Sequence, residues 1–558
     1  MAAVLEAGQH LAQPRRQAGT TQKRDDIQGL RALAILFVVA YHSGLPHVTG
    51  GFVGVDLFFV LSGFLITQLM LREIAATGTV SLRRFWARRA RRIIPASVLV
   101  LVVTMLAVRE FISPVERKAI GTDVLWSALF SGNWRFAHQE TDYLATDRNP
   151  SPVLHYWSLG VEEQFYFVWP LLLVALAAIW RLSRRRRAVY VIGFGTAFVA
   201  VIVVSLAYCI HLTTTHQPYA FFGTPARAWQ LAAGALIALA VPAILRWRGR
   251  TRATLGVVGL MLFGLSVYVL EESGSADIPY PSWLAVAPTL AGVLLIVSGT
   301  GPYSWLNRML SIRPLTYVGD LSYSLYLWHW PVLIIGPEVL GSRTPLVRLG
   351  LVALAVALSV LSYHLVENPI RHARVLVRRP ALSLAVGATL IAAVIPTVAY
   401  ASETETIDTV VVAPPPDPPR GAVEAPEEPE PADLRKVKPA LDKAAGDGLP
   451  FKEKGCHVGF EATSAPPWEA CTFADDGPTR KSLLVVGDSI SSAIAPAVIK
   501  AGLQQRWAVT VWAKSRCPMS DITRYDRDLG GPYGACDAFR DSVLREAERR
   551  KPDAVVIA

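Results

Sequence analysis

The chain has 558 residues, 52% of them hydrophobic and 18% charged, with a mean hydropathy of +0.35 and a net charge of +11. Soluble domains carry about a quarter charged residues, so this composition excludes an ordinary soluble protein and describes one built largely inside a membrane. The positive balance does not mark a nucleic-acid binder, because the basic residues cluster between apolar runs, where membrane topology accounts for them.

Residues 1–26 are polar and basic without an apolar core, so no cleavable signal peptide is expected and the amino terminus stays in the cytoplasm. Apolar segments long enough to span then fall at about 29–46, 51–71, 93–111, 164–180, 188–210, 228–245, 254–270, 283–299, 317–337, 346–366 and 382–400. Basic connections such as "RLSRRRR" (181–187), "RWRGRTR" (246–252) and "RHARVLVRR" (371–379) alternate with neutral or acidic ones such as "EESGSAD" (271–277). With the amino terminus inside, every basic loop falls on the cytoplasmic side, and about eleven spans place everything beyond residue 401 outside. The expected organisation is a cytoplasmic tail (1–26), a membrane domain of ten spans (27–380), an additional span (381–401), a Pro- and Glu-rich linker (402–449) and a globular end (450–558). The predicted fold class is a polytopic α-helical bundle in the cell membrane, followed by an extracytoplasmic α/β domain.

Several spans carry polar groups that lipid would not tolerate. In "GLRALAILFVVAYHSG" (29–44), Arg31 and His42 lie eleven residues apart, on nearly the same helical face and about 16 Å apart. "GGFVGVDLFFVLSGFLIT" (50–67) holds Asp56, whose expected partner is His42 or an arginine. "RFWARRARRIIP" (84–95) places Arg88 with Arg91 and Arg89 with Arg92 at i, i+3 spacing, a pattern suited to phosphates. "HYWSLGVEEQFYFVWP" (155–170) carries Ser158, Glu162 and Glu163. "LSYSLYLWHWP" (321–331) sets His329 between tryptophans, where a place in the interfacial aromatic belt is the commoner role. "VENPIR" (366–371) offers Glu367 and Arg371 as an ion pair at a helix end. Together they mark a polar interior.

Taken in order, the Arg-ten-residues-His span, "GGFVGVDLFFVLSGFLIT", the Arg-x-x-Arg segment, "WSLGVEEQFYFVWP" and "YSLYLWHWP" resemble the acyltransferase-3 family over about residues 24–400. The resemblance implies transfer of an acyl group, usually acetyl, from cytoplasmic acyl-CoA to a glycan or envelope glycolipid outside the membrane. Acyl-CoA is then a donor substrate, with no permanently bound cofactor and no metal. Arg31, Arg89 and Arg92 would hold the anionic donor, and His42 would serve as base or acyl carrier with Asp56 orienting it. The competing class is a many-span carrier or flippase, which also places Arg, Asp and His inside a bundle; no internal repeat supports it.

In the globular end, "SLLVVGDS", "WAVTVWAKS" and "DAVVIA" read as strands, and "ISSAIAPAVIKAG" and "DSVLREAERRK" as helices, an alternation that predicts a parallel α/β sheet. This part resembles an SGNH/GDSL hydrolase-like domain. Ser489, in "VVGDSISS" (485–492), stands where that family's nucleophile would be, although Ile490 replaces the histidine of many relatives. The family's later Asn and Asp-x-x-His blocks would lie beyond Ala558, so the sequence reads as part of a longer protein or as a degenerate domain, and no base for Ser489 can be named. Cys456, Cys471, Cys517 and Cys536 form an even set in an oxidising compartment. Local pairing, Cys456 with Cys471 and Cys517 with Cys536, is the preferred connectivity of three. Zinc binding is the alternative, disfavoured by the lack of a CxxC.

Overall fold

The computed structural model describes residues 24–140, 150–182, 187–271, 279–342, 344–403, 451, 454–475, 481–520, 525–526 and 531–558. The chain divides into two compact units, Met1–Glu405 and Thr406–Ala558. The first is helical, and its major helices are α1 (Asp25–His42), α2 (Gly54–Thr77), α3 (Leu82–Phe111), α4 (Pro114–Ala128), α5 (Gly132–Glu140), α6 (Tyr156–Leu182), α7 (Arg187–Thr215), α8 (Gln217–Phe222) and α9 (Thr224–Ile244). They continue with α10 (Gly249–Val269), α11 (Val286–Ser298), α12 (Trp305–Leu310), α13 (Arg313–Leu340), α14 (Pro345–Ser362), α15 (Asn368–His372), α16 (Arg374–Arg378) and α17 (Pro380–Ser402). Most of the expected linker, and all but the end of the expected tail, lie outside the described residues.

Local chemistry sets several helix ends. Asp25 and Asp26 complement the positive end of α1, and Asp26 is held by a two-bond fork from Arg24 and by the Tyr303 hydroxyl. Gly78 ends α2 and Gly341 ends α13, both in left-handed backbone that glycine adopts without penalty. Glycine also sets two crossings. A Cβ at Gly63 would fall on the carbonyl of Leu231, and one at Gly234 on the carbonyl of Val60, so α2 and α9 meet backbone to backbone. Gly319 of α13 rests in the same way on Gln28 of α1.

Among the described residues, eight helices are long and apolar enough to cross a membrane, against about eleven expected. The other three expected spans coincide with α1, with Trp283–Ser298 and with α13. Trp283–Ser298 is apolar but short. The other two carry the polar residues singled out above: Arg31 and His42 on α1, and a run of Ser, Tyr and Trp around His329 on α13.

The second unit is an α/β layer. Its strands are β1 (His457–Val458), β2 (Thr472–Phe473), β3 (Lys481–Gly487), β4 (Trp507–Lys514), β5 (Tyr525–Asp526), β6 (Gly531–Pro532) and β7 (Ala554–Ile557), with helices α18 (Ser489–Gln504) and α19 (Gly534–Arg550). The main sheet runs β1-β4-β3-β7 with all neighbours parallel, and β2 adds antiparallel to β4. The alternation of strand and helix explains the parallel pairing. The four cysteines pair Cys456–Cys471 and Cys517–Cys536, which removes the zinc alternative.

Candidate active site

Two cavities open inside the bundle. One, of about 90 Å³, is lined by Arg31, Arg89, Arg92, Ser62, Ser158, Glu162 and Tyr166 among others. The second, of about 410 Å³, is lined by His42, Asp56, His155 and Arg227 and walled by Tyr41, Phe52, Trp157, Phe221, Phe222 and Trp330. The face of α1 predicted to be polar therefore borders both, Arg31 on the first and His42 on the second.

His42 is held by another histidine. Its Nδ1 lies 3.1 Å from Nε2 of His329, and the two rings stack with centroids 5.2 Å apart. His329 is fully buried, and its Nδ1 faces the carbonyls of Tyr326 at 2.7 Å and Leu325 at 3.2 Å. A carbonyl can only accept, so Nδ1 of His329 carries the proton and its Nε2, in the neutral ring, is an acceptor. His42 then donates from Nδ1 and keeps the lone pair on its own Nε2. This is the tautomer a general base needs. An aromatic-belt role for His329 does not hold. Its place as the fourth residue of a helical turn lets its own backbone fix the tautomer.

Asp56 does not orient His42. Its Oδ1 accepts from Arg227 at 3.2 Å and from Gln230 at 2.5 Å, and its Oδ2 accepts from the Tyr280 hydroxyl at 2.7 Å. Both members of the Asp56–Arg227 ion pair are buried. Of the two partners expected, the arginine is the one used. Arg227 also donates to the Phe221 carbonyl and lies against the rings of Trp157, Phe221 and Tyr280. A buried charge so fully satisfied is fixed rather than free to move.

The arginines of α3 divide by face. Arg88 lies 3.6 Å from Glu73, and Arg91 donates to Ser383 and to the Leu376 carbonyl. Arg89 and Arg92 both border the small cavity, but Arg89 is engaged by Glu163 at 2.7 Å and stacks over Tyr166. Among the described residues Arg92 has no hydrogen-bond or ion-pair partner, which leaves its donors toward the cavity. Among the described residues Arg31 makes one long bond, 3.3 Å, to Gln28. The i, i+3 pattern thus yields one clamped and one available guanidinium.

Glu162 accepts from Ser62 at 2.8 Å, and Ser158 shares a 2.7 Å bond with the Tyr326 hydroxyl. Glu367 closes a π-helical turn (Tyr363–Glu367) and accepts from Ser324 at 2.8 Å, so the expected pair with Arg371 is not formed. Sequence reading missed His155, Tyr326 and the Arg227–Gln230–Tyr280 cradle. His155 and Tyr326 were visible as polar residues within quoted motifs. Arg227 precedes its apolar run, and Tyr280 lies in a connection, so neither gave a signal.

In the second unit, Ser489 opens α18 directly after β3, and Asp488 caps the helix by accepting from the N–H of Ile490 at 2.9 Å. Gly487 takes a positive φ of +153° at the turn. Ser489 and Ile490 are exposed. His457 does not reach Ser489: its Nδ1 lies 2.6 Å from Ser492 and its Nε2 2.9 Å from Ser515. Among the described residues no histidine is placed on the Ser489 hydroxyl.

A many-helix bundle with an arginine-lined cavity, a fixed histidine pair and an appended α/β unit defines a membrane protein of two-part design. Sequence comparison supplies the family: a profile described as "Acyltransferase domain" matches residues 24–364, and one described as "SGNH domain (fused to AT3 domains)" matches residues 455–558. The chain belongs to the acyltransferase-3 family, in its SGNH-fused form. It is 32% identical over 354 residues to the peptidoglycan O-acetyltransferase OatA of Listeria monocytogenes, covering 62% of this chain and 55% of that protein. It is 33% identical over 363 residues to the putative peptidoglycan O-acetyltransferase YrhL of Bacillus subtilis, covering 62% and 54%. With the O-acetyltransferase OatA of Staphylococcus aureus it shares 30% over 358 residues, 62% and 57% of the two chains. The matched region spans little more than half the length of these relatives. No solved structure matches the chain.

Proposed function

We propose that the chain is a membrane O-acetyltransferase that moves an acetyl group from cytoplasmic acetyl-CoA to a hydroxyl of a cell-wall glycan outside the membrane. Peptidoglycan is the leading acceptor, by similarity to the relatives named above. The observation that carries the reading is the 3.1 Å bond between His42, on the second cavity, and a carbonyl-locked His329, with a first cavity that Arg31 and Arg92 make cationic at the other end of the same helix. Arg92 and Arg31 are the donor-binding groups, since charge-assisted forks suit the phosphates of coenzyme A. The basic loops on that side support a cytoplasmic entry for the donor.

In this mechanism His42 Nε2 takes the proton of an attacking hydroxyl as its oxygen bonds to the thioester carbonyl carbon. The C–S bond then breaks, and the imidazolium returns the proton to the departing thiolate, leaving an ester and a free thiol. Asp56 acts at a distance, holding Arg227 in the cavity wall. Ser489 serves a second stage: its exposed hydroxyl attacks the ester carbonyl so formed and releases the first acceptor's hydroxyl, and a glycan hydroxyl then displaces Ser489 and takes the acyl group.

Incubating the purified full chain with radiolabelled acetyl-CoA and peptidoglycan fragments tests the reading. Label on glycan or protein with release of free thiol is expected. Acetyl-CoA left intact would favour a carrier and overturn the assignment.

A further inference from the structure

Of the residues bordering the two cavities, two border both: Val55 and Tyr326. An acyl group that reaches His42 from a coenzyme anchored by Arg92 leaves the first cavity for the second, and these two side chains are the lining the cavities share. Both are buried. Tyr326 is pinned at its tip, where the hydroxyl donates to the His155 carbonyl at 2.9 Å and takes a 2.7 Å bond from Ser158. Its ring packs 5.4 Å from His329 and 6.4 Å from Phe58. It cannot swing aside without breaking both hydrogen bonds. Val55, in the first turn of α2, is β-branched and has one preferred rotamer in a helix.

We propose that Val55 and Tyr326 form a partition that sets acyl-chain length, admitting a short acyl group to His42 and refusing a longer one. The inference rests on the acyl-CoA reading above and adds the selectivity element to it. A tightly packed wall discriminates by methylenes, each worth roughly 10- to 200-fold in a close-fitting pocket.

The test measures binding of the ethyl and butyl thioethers of coenzyme A to the full chain in detergent, so that no turnover is needed. Wild type is expected to bind the ethyl thioether more tightly. Val55→Ala, which removes two methyl groups and keeps the helix, should narrow that preference by about tenfold or more. Tyr326→Leu should narrow it further, and Tyr326→Phe, which keeps the ring but frees its tip, by a smaller factor. Equal affinities in wild type, or an unchanged ratio in Val55→Ala and Tyr326→Leu, would overturn the partition while leaving the donor assignment intact. If neither thioether binds wild type, the donor assignment falls and the partition falls with it.

Discussion

His42 and Ser489 occupy opposite kinds of surroundings. His42 sits in a bundle where each neighbour is fixed: His329 behind it, the carbonyl of Tyr326 behind that, and Trp330 edge-on at 4.7 Å. Ser489 stands exposed at the start of a helix, capped through Asp488 but without a base beside it among the described residues. Burial lets a protein fix the tautomer and position of a base, at the cost of excluding large substrates. Exposure admits a polymer, yet leaves a hydroxyl at its ordinary, weak reactivity. Under the proposed function, placing the two on separate units gives each the environment its task requires.

The sharpest break of that comparison is His42→Ala. Removing a general base costs about 10²- to 10⁴-fold, so acetyl transfer from radiolabelled donor should become undetectable while the protein still elutes as a folded species. Ser489→Ala should separate the stages: glycan labelling stops, but thiol release by the bundle continues. Glycan labelling at the wild-type rate in this variant would leave the second unit a binding module. For Asp56→Asn, the expectation is structural, because Arg227 would remain buried without its counter-charge. The loss should be about 3–5 kcal/mol of stability, read as a lowered melting temperature in detergent. Arg92→Ala should weaken acetyl-CoA affinity by more than tenfold, one charge-assisted contact being worth about 1.5–3 kcal/mol. Arg89→Ala should disturb the fold as well as binding, since it strands Glu163. The smallest effect is that of His329→Gln, which can still accept from His42 but fixes its ring less well: a modest fall in kcat with KM unchanged.

The fold class was legible because spans, basic loops and the strand–helix alternation are one-dimensional signals. The cavity-lining residues Arg31, His42, Arg92 and Asp56 were legible for a related reason: a charge in an apolar run is costly and must serve something. What they touch was not. Asp56 is bonded to residues 171, 174 and 224 positions away. His42 meets a histidine 287 positions on. Such pairings follow from helix packing, and periodicity carries no information about them. The arginine repeat misled because i, i+3 spacing places residues on one face but does not say that Glu163 already occupies one of them.

The chemistry borne by α1 and α13 also bears on how the bundle is assembled. A segment rich in Tyr, Ser, Trp and His gains little from entering lipid alone, and α13 falls short of the apolarity that the eight other helices reach. Its close backbone contact with α1 through Gly319 offers what lipid does not, a surface already carrying complementary polar groups. Insertion of α13 is therefore expected to be cooperative, its residence in the bilayer secured by earlier helices. A glycosylation-site reporter fused after α13 should read full insertion when α1 is present and partial insertion when α1 is replaced by a polyleucine helix. On that view the histidine pair doubles as a checkpoint of biogenesis, since a bundle that fails to bring the two histidines together also fails to retain one of its helices.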